Sequence, residues 1–285
     1  MSDKPLNWGK WGEDDQRGTL NYITPEKILR AARLVSSGKV YPLAIPLEPE
    51  GPIWPTRHKN WHVAMVRNAD GEGPGGAEDI LMIHTHGSTH VDALCHIFCD
   101  GKMYNGYSVK DSINPTGARR NAISNIGGIV TRGVLLDVAG HHGVDYLDPT
   151  HVITPEEIEA VAKEEGVAIE SGDALLFRTG WIKVWDEDKD KFNAQQPGPS
   201  LAVAEWAGRN EIVIMAADNS ALEAYPLPEG MFVHQEFLRN QGGYIMELLN
   251  LEALARDKVY EFQFVVAPLN ISKGLGSPIT PLAIC

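Results

Sequence analysis

The chain has 285 residues, with 25 Lys+Arg against 38 Asp+Glu and a formal net charge of −13. That balance and a pI near 5.2 exclude a nucleic-acid or anionic-membrane partner, because a phosphate backbone is held by clustered Lys and Arg and here they are scattered singly. A composition of 43% hydrophobic and 22% charged residues is that of a globular protein and excludes disorder and collagen-like repeats.

Residues 1–20, rich in Trp, Gly and Asp, read as an N-terminal extension without a regular period. Met1 to Lys10 carry no apolar stretch after a basic start, and no run reaches the roughly 18 apolar residues of a membrane span, so a cytoplasmic protein is expected. Thr24-Pro25-Glu26 is a helix start, with Ile28, Ala31, Ala32 and Val35 on one face and a stop near Gly38. Val40 to Leu47, His62 to Val66 and Ile80 to His84 read as strands, with Gly71 to Gly76 as a loop. Further on, Ile129 to Val138 is an apolar strand, and Thr154-Pro155-Glu156-Glu157 is a capping box opening a helix to about Gly166. Ala174 to Phe177 and Ile212 to Ala216 are continuous apolar runs typical of strands covered on both faces. Helices are expected over Ser200 to Arg209, Phe232 to Asn240 and Met246 to Ala255, and a last strand over Phe262 to Leu269. The pattern predicts one α/β domain with a strand-rich first half and no internal repeat.

Three cysteines, Cys95, Cys99 and Cys285, are too few and odd in number for a disulfide framework; Cys95 and Cys99 flank apolar Ile97 and Phe98 and read as buried fillers. The histidines are more telling, because His84, His86, His90 and His96 fall within thirteen residues together with Asp92. Gly87, Ser88, Thr89 and Val91 between them are poor helix formers, so an extended or looped chain is expected, with the alternating His and Asp side chains on one face. Imidazoles and a carboxylate converging in this way suit zinc, manganese or iron, and the lack of an obvious thiolate ligand argues for a catalytic site over a structural one. No phosphate-cradling glycine loop follows a strand and opens a helix, so nucleotide binding has no support.

The segment His86-Gly87-Ser88-Thr89-His90-Val91-Asp92-Ala93-Leu94-Cys95-His96 resembles the signature His-x-Gly-Thr-His-x-Asp-x-Pro-x-His of the cyclase family of metal-dependent hydrolases, which includes kynurenine formamidases and isatin hydrolases. Its glycine stands one place early and Leu94 replaces the proline, while the His and Asp spacing is intact. The resemblance implies His86, His90 and Asp92 as metal ligands, with Asp92 able to bridge two ions, and His96 as the acid/base. It also implies His234 and Glu247 as ligands of a second ion, through His234-Gln235-Glu236 followed by Gly242-Gly243-Tyr244-Ile245-Met246-Glu247, with Glu247 sharing the acid/base role if one ion is bound. Glu236 is an alternative carboxylate, and Leu248 stands where many members carry Asn. Gly172 to Trp181, Ala267-Pro268-Leu269 and Gly276-Ser277-Pro278 extend the match over most of residues 20–282.

What the resemblance implies is a swivelling β/β/α fold of mixed sheets with flanking helices, one or two Mn or Zn ions per subunit, and a homo-oligomer, dimer or tetramer, whose neighbouring subunit contributes to the pocket. The expected reaction is attack of a metal-activated water on a carbonyl, with His96 relaying the proton. The extra sequence before the motif and between Asp137 and Gly172 resembles that of the family's longer branch, which implies opening of a small cyclic amide, imide or lactone first and hydrolysis of N-formylkynurenine second. Trp61 and Phe232, with Trp54 and Tyr22, are candidates to wall a pocket for a flat ring. A reading of another class is a non-catalytic protein on the same fold that binds a metal or small molecule.

Overall fold

A computed structural model describes residues 7–71, 73–226 and 232–285. Its centre is a nine-stranded mixed sheet, which we number together with a separate hairpin. The strands are β1 (Val40–Pro42), the hairpin β2 (Trp61–Arg67) and β3 (Gly76–Met82), β4 (His90–Asp92), β5 (Ile129–Leu136), β6 (Ala174–Phe177), β7 (Ile214–Ala217), β8 (Tyr244–Glu247), β9 (Glu261–Val266), β10 (Gly276–Pro278) and β11 (Leu282–Ile284). Their order in the sheet is β1-β11-β9-β5-β6-β7-β8-β4-β10. β5, β6, β7 and β8 run parallel, and the strands on either side join antiparallel.

β6 and β7 form where the sequence is continuously apolar, and every residue of β6, β7 and β8 is buried, as expected for strands covered on both faces. Burying side chains such as Leu175, Leu176 and Phe177 is worth about 1.5–3 kcal/mol each. By contrast β9 alternates half-buried and buried residues, the period of a strand covered mainly on one side.

The helices begin where their caps demand. In α1 (Pro25–Ala32) the Thr24 side chain accepts the Lys27 N–H, and in α2 (Pro155–Glu165) Thr154 and Glu157 close a capping box with Gly166 left-handed at the end. The third, α3 (Leu201–Arg209), is capped by Ser200.

Five expectations need correction. The first helix stops at Ala32, because the Ser37 and Gly38 N–H groups pair with the Cys285 carbonyl and pull the chain towards the C-terminus. The strand from Val40 ends at Pro42, and Phe232 to Asn240 narrows to a π-helical turn, Gln235–Asn240. The helix expected over Met246 to Ala255 is confined to Glu252–Arg256, because Met246 and Glu247 end the strand Tyr244–Glu247. Cys99 is half-buried, with its thiol turned to Asp100, while Cys95 is fully buried as expected. Among the described residues no helix is long and apolar enough to cross a membrane.

Candidate metal centre

Sheet register assembles the site. Glu247, the last residue of β8, lies opposite His90 in β4, so their side chains share one face, and Asp92 joins them two residues along. Val91 and Met246 point the other way into the core. The site thus sits at the carboxyl end of the parallel strands, where α/β sheets leave a crevice.

The extended run expected over His84 to His96 is realised only at His90–Asp92. A turn closed by the Gly87 N–H on the His84 carbonyl, followed by Ser88 at φ 60, brings in His86; a second turn, with the His96 N–H on the Ala93 carbonyl, brings in His96. Because the first turn breaks the alternation, His84 is left outside the cluster. Thr89 locks the arrangement: its hydroxyl donates to the Leu248 carbonyl at 2.5 Å and accepts the Ile45 N–H at 2.9 Å.

His234 enters from the start of the π-helical turn. Glu236 instead bonds Asn240 and Gln241 and takes no part in the site.

The donor atoms converge. His86 Nε2 is 3.3 Å and His90 Nε2 3.6 Å from Asp92 Oδ1, while His234 Nε2 is 3.4 Å from Asp92 Oδ2. Glu247 places Oε2 at 3.2 Å from His90 Nε2 and Oε1 at 3.1 Å from His234 Nε2. Donors bound about 2.0–2.2 Å from one ion stand about 3.0–3.5 Å from each other, so these separations are those of a coordination shell.

Two further observations fit a cation. Among the described residues, Nε2 of His86, Nε2 of His90 and both oxygens of Asp92 are buried without a hydrogen-bond partner, a costly condition that an ion relieves. In addition, each Nδ1 is engaged elsewhere: His90 with the Ser88 carbonyl at 2.9 Å, His234 with Glu223 Oε2 at 2.9 Å and His86 with the Thr85 hydroxyl at 3.2 Å. An Nδ1–H held in this way leaves the Nε2 lone pair facing inward. Asp92 belongs to two groups able to hold an ion, His86–Asp92–His96 and Asp92–His234–Glu247.

The electrostatics show what the cluster lacks without a cation. Burial raises the Asp92 and Glu247 carboxyls, but the surrounding imidazoles, His96 foremost for Asp92 and His234 for Glu247, outweigh it, holding Asp92 well below the usual carboxylate range and Glu247 at about 2. Burial lowers His90 and His234, yet Glu247 raises the first and Glu223 the second above the ordinary histidine value. Burial dominates for His86 and His96, pushing His86 down to about 3 and lowering His96. Two ionised carboxylates therefore draw protons onto neighbouring imidazoles, a neutralising role that a divalent ion would fill.

Beside the donors lies a cavity of about 190 Å³, with Trp54, Ile97, Tyr225 and Phe232 as apolar wall and His96, His234 and Glu247 as polar floor. Trp54 and Tyr225 meet edge to face at 5.3 Å. Of the two wall residues expected first, Phe232 is in place. Trp61 is not: it sits 47% exposed on the hairpin strand β2, which among the described residues pairs with β3 alone, outside the main sheet. Tyr22 packs against Trp11, away from the cavity.

Three contributors were not foreseen. Glu223 bonds both the backbone N–H and Nδ1 of His234 at 2.9 Å, and no local signal marks it. Arg57 lines the cavity and donates to the His86 carbonyl at 2.5 Å. Gly276 pairs with Asp92 across β10 and β4, and a Cβ there would stand 2.5 Å from His86 Nε2, so only glycine leaves room for that ring. Its place in Gly276-Ser277-Pro278 was the available hint.

A family model described as "Putative cyclase" matches residues 41–224. The isatin hydrolase of Roseibium aggregatum is 26% identical over 231 residues, covering 77% of this chain and 79% of the relative. A crystal structure described as a novel cyclase superposes with a TM-score of 0.92 at 34% identity, covering 99% of this chain and 98% of the other. An isatin hydrolase bound to the product analogue thioisatinate shares the fold, with a TM-score of 0.66 at 22% identity, covering 92% of this chain and 99% of the other. The chain belongs to the cyclase family of enzymes and has a hydrolase among its homologues.

Proposed function

We propose that the protein is a metal-dependent hydrolase that opens a small cyclic amide, imide or lactone. The observation that carries this reading is the convergence of inward-facing imidazole nitrogens on the unpartnered oxygens of buried Asp92, beside a small aromatic-walled cavity. Its similarity to an isatin hydrolase supports a ring substrate. His86, His90 and Asp92 would hold the first manganese or zinc ion, and His234 and Glu247, with Asp92 between, a second. When bound, the metal supplies a water that ionises near neutral pH and an electrophile for the carbonyl.

The chain's own residues do the rest. Trp54 and Phe232 clamp a flat ring and exclude bulk water, which strengthens the polar interactions on the cavity floor. His96 stacks on His86 at 4.1 Å between ring centroids and faces the cavity. From there it takes the proton of the attacking water and passes it to the leaving nitrogen or oxygen, while Glu223 keeps the tautomer of His234. A homo-oligomer completes the proposal: the hairpin exposes Met65, Val66, Ile80, Leu81 and Met82, apolar surface that a second copy would cover.

The test is elemental analysis of the purified protein, followed by absorbance assays on isatin, a cyclic imide, an unsaturated lactone and N-formylkynurenine, with and without chelator. Chelator-sensitive opening of one of the rings is expected. Turnover of the formamide alone would move the function to formamide hydrolysis, and neither metal nor turnover would overturn the reading.

A further inference from the structure

A second histidine cluster stands apart from the residues of the metal centre. The short helical turn Val138–His141 ends in His142, the loop before Val152 carries His151, and the first turn of α2 carries Glu157. His142 Nε2 is 2.5 Å from Glu157 Oε1, and His151 Nε2 is 2.9 Å from the same oxygen and 3.1 Å from Oε2. The two rings are 5.0 Å apart and inclined at 68°, so both nitrogens converge on one carboxylate without stacking.

Each donor stands on fixed backbone. The His142 N–H bonds the Val138 carbonyl, the His151 N–H bonds the Asp148 carbonyl, and Glu157 is held by the capping box with Thr154. Neither Nδ1 meets another described residue, which leaves it free to carry the ring proton to solvent while Nε2 offers its lone pair. One donor atom from each of the three residues lies within 4.8 Å of the others. Side-chain exposures of 41% for His142, 26% for His151 and 13% for Glu157 leave one side of the group open to water. A neighbouring pair, His141 with Glu164, adds a further carboxylate to the same face, its ring 5.2 Å from that of His142.

We propose that His142, His151 and Glu157 form a second divalent-metal site, with zinc as the favoured ion and water completing its coordination, which ties the 138–142 turn and the loop at His151 to the start of α2. Two imidazoles and one carboxylate are a zinc donor set, whereas calcium and magnesium seek oxygen alone. The ion takes the place of the two N–H···O contacts to Glu157 and offsets the negative charge gathered by Glu157 and Glu164.

The experiment is zinc equilibrium dialysis of the metal-stripped, full-length protein alongside His142→Ala, Glu157→Gln and His86→Ala. His142 is exposed, and circular dichroism before loading checks that each variant is folded. Wild type is expected to bind one zinc more per chain than His142→Ala or Glu157→Gln, and His86→Ala to retain that equivalent while losing the ion that His86 holds. Cobalt loading should show tetrahedral absorption bands in His86→Ala that fall by one equivalent when His142→Ala is added. Equal zinc stoichiometry in wild type and His142→Ala at about 100 µM free zinc, equivalent to a Kd far weaker than a built site gives, would overturn the proposal. Because the count is made at a different set of residues, failure here leaves the reading of the main centre untouched, and failure there leaves this count intact.

Discussion

Gly276→Ala tests the main centre at a residue that is neither a ligand nor a proton donor. The added Cβ would stand 2.5 Å from His86 Nε2, 2.7 Å from Cε1 and 3.0 Å from Cδ2. An ordinary contact is about 3.5 Å, so the tip of the ring must retreat by about 1 Å. The backbone has little room to yield, since Gly276, Ser277 and Pro278 pair in register with Asp92, Val91 and His90. Metal–donor distances tolerate about 0.2 Å, so under the proposed coordination His86 would be lost as a ligand and affinity should fall about 10–100-fold, or about 1.4–2.7 kcal/mol.

The fold itself should be spared, because φ at Gly276 lies outside the left-handed region and alanine is a permissible strand residue. Dialysis against manganese or zinc with elemental readout measures the affinity, and thermal melting of the metal-free protein measures the fold. In a double-mutant cycle, Gly276→Ala should cost nothing further once His86→Ala has removed the ring. Wild-type metal affinity in Gly276→Ala, or an undiminished effect in the His86→Ala background, would refute the argument.

The other predictions follow from single contacts. His96→Gln should keep metal content intact and lower turnover about 10²–10⁴-fold, read as kcat at saturating substrate; near wild-type turnover would remove His96 from proton transfer. Glu223→Gln should weaken binding at the Asp92–His234–Glu247 group about 10-fold or more, because it no longer holds Nδ1 of His234 with a charged acceptor; an unchanged metal isotherm would count against that role. Trp54→Ala should raise KM more than it lowers kcat, since it removes wall area from the cavity; a pure loss of kcat would contradict this. Glu165, which accepts the Asp137 N–H at 2.8 Å, is pushed up by burial from 4.5 to about 8. The native state therefore holds its proton more tightly than the unfolded chain, so its contribution to stability is full below pH 4.5 and is lost as pH rises towards 8. In melts across that range, the Tm advantage of Glu165→Gln over wild type should grow between those limits and level off above; a pH-independent difference would be contrary to it.

The features legible in the sequence were local ones. Caps at Thr24, Thr154 and Ser200 announce their helices because a side-chain oxygen and the N–H it accepts are three residues apart. The runs at β6 and β7 are visible because a strand buried on both faces needs no polar residue. His86, His90, Asp92 and His96 stand within one short segment, and the chain can only bring them together or waste them.

The rest depended on pairings that composition and periodicity do not encode. The run from Met246 to Ala255 reads as a helix, since a short apolar stretch fits either period; pairing of Tyr244–Glu247 with β7 and β4 makes its first residues a strand and sets Glu247 opposite His90. Phe232 and Trp61 are both aromatic residues flanking apolar segments, and only the fold put one on the cavity wall and the other on an exposed hairpin. Glu223 and Gly276 gained their importance from His234 and His86, the one eleven residues away in the chain and the other brought close by a sheet edge. The sequence by itself determined which donor atoms exist and how far apart in the chain they stand. Tertiary structure decided which of them share a face and what remains unpartnered, because burial and strand register are set by contacts between distant segments.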